Sequence, residues 1–144
     1  MPERARQWIN VTIEEIEETL PNGLHDAEIL ELVMDYKHAR LALEVSVLVG
    51  QPIEPHPSCE RCRPGVIVFR GVVFYSVEFP QGGSSFQPPG PVGFTYERAP
   101  AGEIPAGLAK ILPQGIQCYS LFLRDWLSHI HIAAVDVRFS WSDF

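Results

Sequence analysis

Three cysteines in 144 residues are too few, and odd in number, for the disulfide framework of a small secreted domain. Basic side chains are scarce too: 11 Lys and Arg stand against 18 Asp and Glu, a formal net charge of −7. A surface with that balance repels a phosphate backbone, which argues against nucleic acid as the main partner. Long apolar runs are also missing. The longest, 41–50 and 71–79, are broken by polar residues and fall far short of the roughly 20 residues that span a bilayer. The opening MPERARQWIN has Glu3 among its basic residues and no apolar run behind them. A secretory signal is therefore not expected, and the expectation is a cytoplasmic protein with no membrane partner. No G-x-S-x-G, P-loop or G-x-G-x-x-G occurs. Gly82-Gly83-Ser84-Ser85 lacks the lysine and helix that a phosphate cradle needs.

What is present, 46% hydrophobic residues in a chain of this length, suffices for one domain, 1–144, with a substantial core. Thr12 and Glu15 have capping-box spacing, and Ile13, Ile16 and Leu20 mark one face of a short helix that Pro21-Asn22-Gly23 ends. From Asp26 the apolar period changes to two. Leu30, Leu32, Met34 and Tyr36 share one face, and after the break 37–40 so do Leu41, Leu43, Val45, Val47 and Val49. This pattern predicts a β-hairpin over 27–49. Residues 51–65 read as a loop, and 66–79 as a strand with a bulge or bend at Gly71. Seven prolines and seven glycines between Pro80 and Gly115 predict an irregular excursion, 80–115. Two further strands are expected at 116–123 and 129–141, the last with Val135, Val137, Phe139 and Trp141 inward. The fold class is thus α+β and mainly antiparallel β, with one N-terminal helix covering a face of a five- or six-stranded sheet.

Three groups could carry chemistry. His56-Pro57-Ser58-Cys59-Glu60-Arg61-Cys62 holds a C-x-x-C with a histidine three residues upstream. Two thiolates at that spacing can turn round one zinc, with His56 as third ligand and His129 or His131 completing the set. The alternative is a plain pair of loop thiols. His129 and His131, two apart on a strand, point the same way. They share parity with Val135 and Val137, so core histidines are the competing reading. His25-Asp26-Ala27-Glu28 offers a base and a carboxylate, but neighbours on a strand face opposite ways, and a turn-locking role for His25 or Asp26 is favoured. Cys118 reads as a small core residue. Phe86, Phe94 and Tyr96 either pin the excursion to the domain or anchor a partner.

Leu24-His25-Asp26-Ala27-Glu28-Ile29, the hairpin after it, and Phe122-Leu123-Arg124-Asp125-Trp126 resemble a group of small bacterial proteins, some of them similar to immunity proteins of toxin systems. The resemblance covers about half the chain. It implies a hairpin opened by the first motif and a D-W turn between the last two strands, and it carries over no reaction. The expected function is a non-enzymatic binding domain, immunity-protein-like, that needs no cofactor. The alternative is a zinc-binding protein or metalloenzyme using Cys59 and Cys62. Between Thr12 and Glu31 there are seven acids and no Lys or Arg. Helix residues Glu14, Glu17 and Glu18 are the candidate binding face for a basic protein such as a nuclease-type toxin. Open sheet edges make a homodimer the other expected association.

Overall fold

The computed structural model describes residues 9–11, 13–24, 26–78, 91–97 and 111–142. Its elements are β1 (Ile9–Val11), α1 (Ile13–Thr19), β2 (Ala27–Asp35), β3 (Arg40–Leu48), β4 (Cys62–Arg70), β5 (Phe74–Val77), β6 (Val92–Glu97), β7 (Gln117–Leu123), β8 (Ser128–Ala134) and β9 (Asp136–Trp141), with a 3₁₀ turn at Ser58–Glu60. All strand pairs are antiparallel. The α+β, mainly β class holds. The sheet has nine segments in the order β1-β9-β4-β3-β2-β6-β7-β8-β5, which corrects the expected five or six.

The hairpin over 27–49 is present as β2 and β3, closing at Asp35↔Arg40. Leu41, Leu43, Val45 and Val47 are completely buried. One detail of β2 differs from the alternation. The register shifts between Ile29 and Glu31, leaving Leu30 as an extra, unpaired residue. Such a bulge reverses which face each later side chain takes. Ala27 and Ile29 therefore point inward before it and Leu32 and Met34 after it, while Leu30 (46% exposed) lies outside; Tyr36 follows the end of β2 and is exposed.

Two of the additional segments come from two corners. The expected strands 66–79 and 129–141 each bend once, at Gly71 and Val135. Pairing is continuous through the bend: β4 runs against β9 from Gly65↔Trp141 to Arg70↔Asp136, and β5 against β8 from Phe74↔Ala133 to Val77↔Ile130. Gly71 takes a left-handed φ of 62°, and a Cβ there would lie 2.5 Å from Val135 Cγ2. The bends thus stack on each other. Val135 is 51% exposed, not inward, and inward parity resumes at Val137 and Phe139. At the other end, β4 begins at Cys62, earlier than expected, because residues 62–65 pair with β3.

The bends let the ladder return to its start. It passes from β2 through β3 to β4, across the corner into β5, then through β8, β7 and β6 back to β2. Phe69 of β4 meets Tyr119 of β7 edge-on across the interior, with ring centroids 5.1 Å apart. Phe69, Phe94, Phe139, Leu121 and Ile132 share one core, and each such side chain contributes about 1.5–3 kcal/mol by leaving water. The expectation that α1 covers a sheet face is corrected, for the helix stands at one end of this curled sheet. Ile13 and Ile16 are completely buried, Asn22 donates to the carbonyls of Leu48 and Gly50, and Tyr96 donates to Glu14. The Thr12 half of the capping box lies outside the described residues.

The expected irregular span 80–115 contains a central strand, β6, held between β2 and β7. Its glycine, which suggested loop, answers a packing need: a Cβ on Gly93 would lie 2.5 Å from Arg124 Nη2. Phe94 is completely buried and Tyr96 is bound to the helix, so these two aromatics pin the segment. Phe86 lies outside the described residues.

Candidate functional site

The zinc set that the alternative reading offers, Cys59, Cys62 and His56 with His129 or His131, is not assembled among the described residues. The 3₁₀ turn carrying Cys59 folds back on Gly50, where a Cβ would lie 2.3 Å from the Ser58 carbonyl. His56 Nε2 lies 3.1 Å from Glu60 Oε2, and Cys62 Sγ is directed to the Glu60 carbonyl. The thiols are free. Cys62 starts β4, whereas His129 and His131 lie on β8 beside β5, beyond the corner. A short-range carboxylate has taken the place of the cysteines as partner of His56.

His129 and His131 do come together, with an acid that sequence reasoning missed. Ile130 and Ile132 turn into the core, which leaves the two imidazoles on the outer face of β8. They are not core histidines, because the Val135 corner reverses the parity on which that reading depended. Their rings stack with centroids 5.4 Å apart and planes 13° from parallel. Glu78 follows β5, and its N–H donates to the His129 carbonyl, extending the ladder by one bond. Its Oε1 accepts from the His129 N–H at 2.7 Å and lies 3.2 Å from His129 Nδ1, while Oε2 lies 3.6 Å from His131 Nε2. Burial pushes the Glu78 carboxyl up. The bonds from His129 and the neighbouring imidazoles outweigh that and hold it below its usual value. From β7, Ser120 places its hydroxyl 2.8 Å from His131 Nδ1, and Phe122 walls the His129 ring. Among the described residues, Glu78, His129 and His131 are the one group of three with metal-ligand atoms within 4.8 Å of one another. The available signal was Glu78 at the polar end of an apolar strand, on the same face as Ser76, whose register partner is His131.

The two motifs behind the family resemblance also meet, and their role is architectural. Arg124 reaches Asp26 Oδ1 and the Ala27 carbonyl, each at 3.4 Å. Asp125 accepts from the Gly93 N–H at 2.8 Å. Asp26 has a left-handed φ of 62°, and its carboxylate meets the Arg124 guanidinium. His25 lies outside the described residues. Cys118 is half-buried on β7, and burial raises its thiol pKa.

The outer face of β2, β3, β4 and β9 carries two charged rows of opposite character, with Arg138 on the row between them. In one, Asp35, Arg40, Arg70 and Asp136 are successive register partners. Each arginine there has an acid: Arg40 lies 3.7 Å from Asp35, and Arg70 Nε donates to Asp136 at 2.7 Å. In the other, Glu31 stands directly opposite Glu44, and the row continues through Val66 to Ser140. Glu28 lies on the same outer face toward α1, with Leu30 and Val33 (48% exposed) beside the pair. On the helix, Glu14 and Glu18 are exposed and Glu17 is half-buried, with Glu14 already accepting from Tyr96. No helix among the described residues is long and apolar enough to cross a membrane. In comparisons with known proteins, no family model, no curated protein and no solved structure matches this chain.

Proposed function

We propose that this protein is a binding domain, of the immunity-protein kind that the LHDAEI and RDW motifs resemble, and that it binds a basic protein through the outer face of β2 and β3. One observation carries the reading: Glu31 and Glu44 are register partners. Like charges directly opposite on a sheet disfavour folding, so the fold gains nothing from this arrangement. A basic partner would reverse its sign. Leu30 and Val33, exposed beside the carboxylates, supply the apolar centre that such a contact desolvates, with the acids as its rim. The acids of α1 extend the same negative field and steer encounter. A second copy of the chain would bring carboxylate against carboxylate, so this face favours a basic partner over a homodimer.

The test places a photo-crosslinking residue at Val33 in the living cell, identifies the adduct, and measures its association with purified protein. Glu31→Lys with Glu44→Lys should slow association at least tenfold at low salt and flatten its salt dependence. Glu44→Gln alone should weaken binding while raising stability by about 0.2–1 kcal/mol, through loss of the cross-strand repulsion. A partner whose association rate ignores both salt and these substitutions would overturn the proposal.

A further inference from the structure

We infer that Glu78, His129 and His131 form a zinc-binding site on the outer face of β8. Zinc takes imidazole nitrogen and carboxylate oxygen at about 2.0–2.2 Å, so adjacent ligands of a tetrahedral ion stand about 3.3–3.5 Å apart. His129 Nδ1 lies 3.2 Å from Glu78 Oε1, and His131 Nε2 lies 3.6 Å from Glu78 Oε2. Each imidazole thus stands near that separation from one oxygen of the shared carboxylate. With one ligand atom taken from each residue, all three lie within 4.8 Å of one another, and joint coordination requires the near-parallel rings to turn their edges toward a common point.

The surroundings can also support a bound metal. Ser120 Oγ, 2.8 Å from His131 Nδ1, can accept its N–H. In that arrangement Nε2 carries the lone pair toward Glu78, and Ser120 supplies the outer-shell support that a ligating histidine needs. His129 is set by its backbone, since the Glu78 carboxylate takes its main-chain N–H, and Phe122 packs on its ring. All three side chains keep partial access to solvent, so water can complete the coordination of an open site. The ligands come from β8 and from the residue that follows β5, a four-residue strand paired on one side among the described residues. A bound ion therefore fastens this short strand to the body of the sheet.

The test uses the full chain freed of metal by chelation and titrated with zinc alone, followed by calorimetry and thermal unfolding. One equivalent should bind and raise the melting temperature. Glu78→Gln and His131→Ala should each weaken binding more than tenfold, and Ser120→Ala by roughly tenfold or more, the usual range for an outer-shell partner. Cobalt as a substitute ion should give visible ligand-field bands without thiolate charge transfer, and Cys59→Ser with Cys62→Ser should change nothing. Far-ultraviolet circular dichroism confirms that each variant is folded. Absence of binding, binding unchanged in folded His129→Ala/His131→Ala protein, or binding lost with the cysteines would overturn the inference. None of these measurements involves the Glu31–Glu44 face, so the two proposals stand or fall separately.

Discussion

The stacked corners make a quantitative prediction about how the sheet closes. Gly71→Ala puts a side chain on a residue with φ of 62°, a left-handed conformation that costs an L-residue about 1–2 kcal/mol. The new methyl would also lie 2.5 Å from Val135 Cγ2 and 3.0 Å from Val135 Cβ. Overpacking of that kind costs typically about 1–3 kcal/mol. Val135 is half in solvent and can yield, so the lower end applies and the total is about 2–3 kcal/mol. Val135→Ala alone removes an exposed side chain and should cost no more than about 0.5 kcal/mol. In the double variant the collision with Cγ2 disappears and the backbone strain remains, so the pair should recover about 1 kcal/mol relative to the sum of the singles. Urea midpoints of the four proteins, at unchanged slope, measure this cycle. Additivity within about 0.3 kcal/mol, or a Gly71→Ala cost below about 0.5 kcal/mol, would refute the stacking of the corners.

Two further predictions concern the core and the charged row. Val45→Ala, at a completely buried position of β3, should lower stability by about 1–2 kcal/mol in the same urea assay. A loss below about 0.5 kcal/mol would place Val45 outside the core. The Arg70 guanidinium, hydrogen-bonded to Asp136, holds that carboxyl below its usual range against the opposing effect of burial. A depressed folded-state pKa means stability that is present above the unfolded value of about 3.9 and lost as pH falls through the folded one. Asp136→Asn should therefore flatten the stability profile only below about pH 4. Because both side chains are more than a third exposed, the effect should be a small part of the total acid loss. An unchanged profile would show the pair to be energetically silent.

How much of this was legible depends on whether a pattern was local. Leu41, Leu43, Val45 and Val47 announce their strand because alternation is a property of consecutive residues, and the 27–49 hairpin follows from it. The bulge at Leu30 and the bend at Val135 are not local in that sense. Each reverses parity to meet a neighbouring strand, and no composition rule records it. Strand β6 was hidden by its own packing: Gly93 makes room for Arg124, yet in sequence it reads as one more loop residue. The candidate site divides the same way. His129 and His131 were visible as an i, i+2 pair, but their third member, Glu78, lies 51 residues away from His129. The C-x-x-C spacing drew attention to Cys59 and Cys62, which the corner separates from the histidines.

Closure of the sheet consumes its inward side chains, so whatever this protein recognises must be read on the outer face and the ends. On that face the neutralised row and the acidic row provide an internal control. In the first row Arg40 stands opposite Arg70, but each arginine also has an acid on its other side, whereas the row of Glu31 and Glu44 holds no cation. Three strand pairs, β2–β3, β3–β4 and β4–β9, run through both rows, so strand environment does not explain why Glu31 faces Glu44 a few residues away. A local choice that weakens the fold, placed beside exposed leucine and valine, is the pattern expected where a surface serves something other than the fold. The Glu78–His129–His131 group follows the same logic at another place on the outer surface. There a short strand, paired on one side among the described residues, is followed by Glu78, whose carboxylate faces both histidines of β8.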